Sequence, residues 1–281
     1  VNAKVTNMPT KTILITGATD GIGKAAAKLL AEDGHHLLLH GRDDTKLDLV
    51  KEEIARKTGN QQLDTYLADF SSLQQITDMG RKISSEQEEL HVLINNAGLV
   101  SKGYEETIDG VELTFQVNYL SQFLLTHLLL PLLRDSAPAR IVNVSSIGQA
   151  TIQFDREAYR NNYNMMEAYN QSKLAVVLFT IELDKRLENS EITVNAVHPG
   201  TLLDTNLVDD AGLNVWGKPE SGGEVLRYLA TADEVKGISG EFFNEKSKAQ
   251  AKPQAYGEQA RELLWKMSKA MTKSYLTEEV E

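Results

Sequence analysis

Of the nine tyrosines in this 281-residue chain, only Tyr169 has a lysine four positions later, Lys173, in the stretch "YNQSK". On a helix that spacing brings two side chains to one face. A phenol is a proton donor, and with an ordinary pKa near 10 it is a poor base at neutral pH; a neighbouring ammonium stabilises the phenolate and lowers that pKa. The pair therefore suits chemistry in which a proton enters or leaves an oxygen, such as reduction of a carbonyl by hydride.

A second feature bears on the hydride source, the glycine-rich stretch "TGATDGIGKAAAKLL" at residues 16–30. A triphosphate-binding loop needs G-x-x-x-x-G-K-[ST], with amides around the phosphates, a lysine to neutralise them and a hydroxyl for magnesium. Gly23-Lys24 would end that motif, but Ala18 stands at its first glycine and Ala25 at its hydroxyl. A dinucleotide site needs glycine where the chain leaves the first strand, where backbone meets pyrophosphate, and where helix packs on sheet. Gly17, Gly21 and Gly23 meet those needs at T-G-x-x-x-G-x-G spacing. Taken alone, the motif leaves open an incidental glycine-rich turn.

The elements that must position these groups alternate. "KTILIT", "HLLLHG", "QLDTYLA", "HVLINNAG", "ARIVNVSS", "ITVNAV" and "GEFF" read as seven strands, apolar throughout as in a parallel sheet covered on both faces. Helices are expected at residues 21–33, 44–58, 73–88, 111–134, 164–188 and 220–232. This rhythm predicts one doubly wound α/β domain over residues 11–245, after a flexible lead-in at 1–10 and before a helical tail at 246–281. In the tail, Pro253 can open a helix with Leu263, Leu264, Met267 and Met271 near one face, as a packed flap or a partner-binding helix. The Tyr169 helix follows strand five, so its first half faces the carboxyl ends of the strands, where open α/β sheets bind ligands.

In these features the chain resembles the short-chain dehydrogenase/reductase family. Supporting matches are "ADF" at 68–70, "NNAG" at 95–98, Asn118, "VNVSS" ending at Ser146, "YNQSK" at 169–173 and "HPG" at 198–200, over most of the stretch from Lys11 to about Phe243. The resemblance implies a Rossmann fold and a catalytic set of Asn118, Ser146, Tyr169 and Lys173. Tyr169 would exchange the proton and Lys173 would lower its pKa and bind the nicotinamide ribose. Ser146 would donate to the substrate oxygen, and Asn118 would anchor a water of the proton relay. Ser145 is the rival to Ser146; the family's serine is usually the second of such a pair. Ser146 and Tyr169 are 23 positions apart, farther than in compact members; insertions there occur in the retinol-dehydrogenase-like and carbonyl-reductase-like branches, and "AYNQSKLAVVLFTIELDKRL" with "VNAVHPG" resembles the former.

Coenzyme contacts implied by the resemblance are Gly17, Thr19, Asp20, Gly21, Ile22 and Gly23 in the turn, and Tyr169 with Lys173. Asp69 would meet the adenine amino group with Phe70 beside it. Asn96, Ala97 and Gly98 would pass the adenine ribose, and Pro199, Gly200, Leu202 and Thr205 would follow strand six. The family's threonine falls at position 204, which is Asp here, so Thr205 is offset by one. At the end of strand two, Gly41 stands where NAD-selective relatives carry Asp, and Arg42 follows it, so NADP is preferred with NAD possible. Asp20, Asp43 and Asp44 oppose that preference.

Composition bounds the rest. A net charge of -11 argues against nucleic acid and anionic lipid partners. With no cysteine, disulfides and thiolate metal sites are excluded; His36 and His40 share a strand face without a third ligand, so no metal is expected. "FLLTHLLLPLL" at 123–133 is too short to span a bilayer. The expectation is a cytoplasmic NADP(H)-dependent oxidoreductase, monomeric or homodimeric, acting on a small carbonyl or alcohol. Leu202, Leu203, Leu207, Leu213, Val215 and Trp216 in a substrate loop at 202–228 point to a hydrophobic substrate. The alternative is a non-catalytic NADP(H)-sensing protein on the same fold. A sugar-nucleotide epimerase or dehydratase is disfavoured by the short tail.

Overall fold

Short apolar strands separated by amphipathic helices leave the chain one economical solution, a sheet with helices on both faces. The computed structural model describes residues 9–276 apart from 189, 202, 204–211, 213 and 216. Its strands are β1 (Thr12–Ile15), β2 (His36–Gly41), β3 (Leu63–Leu67), β4 (Val92–Asn95), β5 (Ala139–Val144), β6 (Ile192–His198), β7 (Phe242–Asn244) and β8 (Ser247–Ala249). They form one sheet in the order β3-β2-β1-β4-β5-β6-β7-β8, an α/β doubly wound fold as the strand–helix rhythm predicts. All neighbours run parallel except β7 and β8.

One face carries α1 (Gly21–Glu32), α2 (Asp44–Thr58) and α8 (Pro219–Thr231), packed on Ile13, Ile15, Leu37, Leu39, Val92 and Ile94. Helices α1 and α8 lie close because Gly223 faces Ala25 and Ala26; a Cβ there would sit 2.9 Å from the α1 backbone. Their ends are tied by Arg227, which donates to both oxygens of Asp33 at 2.5 and 2.7 Å. On the other face lie α3 (Leu73–Glu86), α4 (Leu113–Phe115), α5 (Ser121–Asp135), α7 (Met165–Arg186) and α9 (Glu258–Thr272). The short α6 (Arg156–Asn161) occupies the stretch between β5 and α7.

Several expectations are corrected. The helix read as 111–134 begins at Leu113, where Glu112 accepts from Thr114 N and Phe115 N, and it passes through a π turn at Gln116–Leu120. An eighth strand returns antiparallel on β7; three residues, "SKA", are too few to show alternation. Helix α6, within the inserted stretch, was not expected. Pro253 opens a 3-10 turn at Pro253–Tyr256, and the tail helix starts at Glu258. Its buried face is Leu264, Trp265, Ser268 and Thr272, whereas Leu263 is 43% exposed. Trp265 packs edge-on against Phe123 at 5.1 Å and stacks on Phe179 at 6.1 Å, with the Arg186 guanidinium 4.3 Å from its ring centre.

Removing that indole leaves a cavity between α5, α7 and α9, so Trp265→Ala is expected to destabilise the fold by about 3–5 kcal/mol. A chemical denaturation midpoint unchanged from the parent would show that α9 contributes nothing to the core.

Candidate active site

Chain order reverses between β1 and β4, and a cleft of about 550 Å³ opens at the carboxyl ends of the strands there. Its first wall is the glycine turn. Gly17 and Gly21 have φ of +67° and +51°, open to glycine at little cost. Gly23 is constrained differently, since a Cβ on it would lie 2.2 Å from Gly17 O and 2.5 Å from Asn96 Nδ2. The turn is stitched to the segment after β4: Thr16 Oγ1 accepts from Asn96 N and Ala97 N at 2.8 and 2.9 Å. Asn96 Nδ2 donates back to Thr16 O at 2.8 Å and Gly17 O at 3.2 Å. Gly17, Thr19, Asp20, Gly21, Ile22, Asn96, Ala97 and Gly98 line the cleft, and Gly23 lies behind it as the packing contact.

His40, which the sequence offers only as half of an incomplete ligand pair with His36, is part of this wall. Gly17 N donates to its Nδ1 at 3.1 Å, so Nδ1 carries no proton and Nε2 donates to Ala68 O at 3.0 Å. Its ring stacks on Phe70 at 4.1 Å, and burial pulls its pKa down to about 4. A neutral imidazole thus joins the ends of β1, β2 and β3. The available signal was its place at the carboxyl end of a strand, where ligands of such sheets bind. His36, by contrast, pairs with Asp64 at 2.8 Å. Among the described residues no side-chain group could hold a metal ion.

Next to His40, a Cβ at Gly41 would lie 2.6 Å from Thr19 Cγ2 and 3.2 Å from Leu47 Cγ, so an acidic side chain does not fit there without displacement. Arg42 is exposed at the rim. Asp43 caps α2 by accepting from Lys46 N at 3.0 Å, which turns it to the helix rather than to Arg42. Asp69 lines the cleft with Phe70, its Oδ1 accepting from Ser71 N and Oγ at 2.9 and 2.8 Å.

At the far end, the two serines after β5 separate as their alternation demands. Ser145 Oγ donates to Lys173 O at 2.6 Å and is committed to α7. Ser146 Oγ accepts from Gly148 N at 3.0 Å and lines the cleft with Tyr169. Burial pushes the Tyr169 phenol up to about 12, against the Ser146 bond that draws it down. Lys173 is buried, donates to Val144 O at 3.0 Å, and lies with Nζ 5.5 Å from the Tyr169 ring centre. Burial lowers its pKa to about 8. The depression of the phenol pKa that the resemblance implies for Lys173 is not found: burial dominates and Ser146 alone opposes it. His198, Pro199, Gly200 and Thr201 close the end of the cleft. His198 Nε2 lies 3.1 Å from Thr201 Oγ1, and burial first, then the Lys173 charge, hold its pKa near about 4.

Asn118 lies in the π turn behind this wall and does not line the cleft. Its Oδ1 accepts from Leu99 N at 2.8 Å, and its Nδ2 donates to Leu99 O and Ser172 Oγ at 3.0 Å each. The side chain is thus consumed in joining the segment after β4 to α7. Leu202 and Thr205 lie outside the described residues, as do 204, 206–211, 213 and 216 of the expected substrate loop; its residues 219–228 belong to α8.

The short chain dehydrogenase family model matches residues 11–215. The chain belongs to the short-chain dehydrogenase family. As a member it is an oxidoreductase of alcohols and carbonyls on a fold that binds a nicotinamide coenzyme. It falls with the retinol-dehydrogenase-like branch, being 39% identical to human retinol dehydrogenase 11 over 93% of this chain and 85% of that protein. Among solved structures, an uncharacterized protein from Mycobacterium paratuberculosis superposes with a TM-score of 0.77 at 30% identity, covering 97% of this chain and 98% of the other. A short chain dehydrogenase from Escherichia coli CFT073, complexed with NADPH, gives 0.70 at 25% identity over 87% and 100% of the two chains. No helix among the described residues of this dehydrogenase is long and apolar enough to cross a membrane.

Gly23→Ala drives a methyl into Gly17 O, so the turn must move away from Asn96. The variant is expected to lose coenzyme binding, read as the disappearance of nicotinamide fluorescence enhancement on titration. Binding at the parental affinity would show that the close approach is dispensable.

Proposed function

We propose that this dehydrogenase interconverts an apolar carbonyl compound and its alcohol with NADP(H) in preference to NAD(H). The observation that carries the reading is the assembly, in one cleft, of Ser146, Tyr169 and Lys173 at one end and the Gly41-Arg42 pair at the other. The glycine turn fits a dinucleotide, because a Cβ at Gly23 would fill the contact that lets its backbone approach. The bound coenzyme supplies or accepts the hydride. With a phenol pKa of about 12, Tyr169 holds its proton at neutral pH and is poised to deliver it to the carbonyl oxygen in the reductive direction. Ser146 Oγ, beside Tyr169, donates to the same oxygen as charge develops on it. Lys173, protonated below about pH 8, stabilises the tyrosinate left behind.

NADP preference is supported by Arg42 at the rim and by the lack of room for an acidic side chain at Gly41. The NADPH complex of the Escherichia coli relative agrees with it. Leu99, Val100, Ile147, Met166 and Leu203 line the cleft around the reacting groups and favour an apolar substrate, as does similarity to an enzyme named for retinol. A purely NADP(H)-sensing protein would have no use for the Tyr169–Ser146 pair.

The test is turnover of a panel of alcohols and carbonyls with either coenzyme. An apolar aldehyde is expected to react faster with NADPH than with NADH, and Tyr169→Phe to lose about 10²- to 10⁴-fold in kcat with NADPH affinity retained. Arg42→Ala should cost about tenfold or more in kcat/KM for NADPH and nothing for NADH, the worth of one charged hydrogen bond. No turnover of any substrate, or equal use of the coenzymes before and after Arg42→Ala, would overturn the corresponding half of the proposal.

The lysine gives a pH signature. Because burial lowers the Lys173 pKa to about 8, its charge is present below that pH and lost above it. The reductive kcat/KM should therefore be flat near neutrality and fall above about pH 8. Lys173→Arg, if active, should move that fall to higher pH, since a guanidinium keeps its proton. A profile level through pH 9.5 in the parent would remove the lysine charge from the rate-determining step.

A further inference from the structure

The segment matched by the family ends at residue 215, yet the chain beyond it returns to the active-site serine. We infer that Gln149 and Gln254 are positioning residues through which the C-terminal segment sets the Ser146 loop; this rests on the proposed role of Ser146. Gln149 is buried, and its Nε2 donates to Ser146 O at 2.7 Å. Its Oε1 accepts from Lys252 N at 2.9 Å. Two residues beyond Lys252, Gln254 Oε1 accepts from Ile152 N at 2.7 Å and its Nε2 donates to Ile152 O at 3.2 Å, as a neighbouring strand would. Gln149 thus joins backbone of the serine loop to backbone of the tail, and Gln254 spends both its amide atoms on Ile152.

The tail is itself anchored to the helix that carries Tyr169. Arg261 Nη1 donates to Ala255 O at 3.1 Å, next to Gln254, and its Nε lies 3.3 Å from Oε2 of the buried Glu182 on α7. Trp265 packs on Phe179 of the same helix. A closed path therefore runs from Ser146 through Gln149, the tail, Arg261 and Glu182 to α7, and back to Tyr169. Its value follows from the 23 positions that separate Ser146 from Tyr169 in sequence. Ser145 Oγ on Lys173 O and Ala150 N on Asn170 O, at 2.6 and 3.1 Å, tie the first part of that connection to α7; the remainder is long, and loop-closure entropy grows with length. The tail shortens the effective connection from outside it.

Gln149→Met and Gln254→Met keep side-chain length and remove the amide. Each is expected to lower kcat by about 10- to 100-fold, the scale for a slightly misplaced catalytic group, with the NADPH dissociation constant unchanged. The double variant should be no worse than the worse single, because the two amides act in one path. Amide hydrogen exchange should accelerate over residues 146–152 and not over α7. Leu263→Ala, on the exposed side of α9, should keep the parental kcat. Gln254 is only partly buried, so its variant reports on the path even where the buried Gln149 variant fails to fold. Unchanged kcat in the Gln254 variant, or unchanged exchange over 146–152, overturns the inference. Exchange that accelerates in a protein whose parent turns over no substrate sustains the path and places the failure in the proposed reaction.

Discussion

A backbone contact without a side chain between its partners is the constraint on which the rest of the molecule turns. Gly23 in α1 lies against Gly17 O and Asn96 Nδ2 so closely that any Cβ would overlap both. That approach brings the start of α1 to the end of β1, points the first amides of the helix into the cleft, and leaves Asn96 Nδ2 within reach of two carbonyls of the turn. A helix N-terminus is a ready anion site only when the chain before it turns sharply enough to expose those amides. The topology supplies the other half: with β1 and β4 as neighbours, helices depart to opposite faces and the space between their starts is empty.

Around that space, the buried polar groups divide into those that hold the framework and those left for chemistry. His40 spends one nitrogen on Gly17 and the other on Ala68; Asn96 holds the glycine turn; Asn118 spends its amide on Leu99 and Ser172; Ser145 spends its hydroxyl on α7. Each would cost about 1–3 kcal/mol if left unpaired in the interior. Ser146, Tyr169 and Lys173 are different. They line the cleft, with Ser146 Oγ and Lys173 Nζ each bonded to a single backbone group. Burial raises the Tyr169 phenol and lowers the Lys173 ammonium, so both groups are shifted by desolvation before any charge on a ligand acts on them.

How far this could be read beforehand differs by element. The seven parallel strands and the central helices announce themselves through apolar runs and 3.6-residue periodicity, since burial on both faces of a parallel sheet leaves few choices. Gly17, Gly21, Gly23 and the Tyr169/Lys173 pair were legible because each is a short-range requirement of backbone or helix geometry. β8 and α6 were not, being too short to carry a period, and the π turn at Gln116–Leu120 looks like ordinary helix in the residue pattern.

The order of residues by itself determined the fold class and singled out the glycine turn and the Tyr169/Lys173 pair, the first through which residues avoid water and the others through local spacing joined to the family resemblance. Only the tertiary structure decided that His40 belongs to the cleft wall, that Ser145 is structural while Ser146 faces Tyr169, that Asn118 has no free side-chain group, and that the tail braces the serine loop. Each of those depends on partners tens of residues distant, such as Ser145 with Lys173 or Gln149 with Lys252. Hydrogen bonds at that separation exist only after the sheet has set which backbone lies beside which.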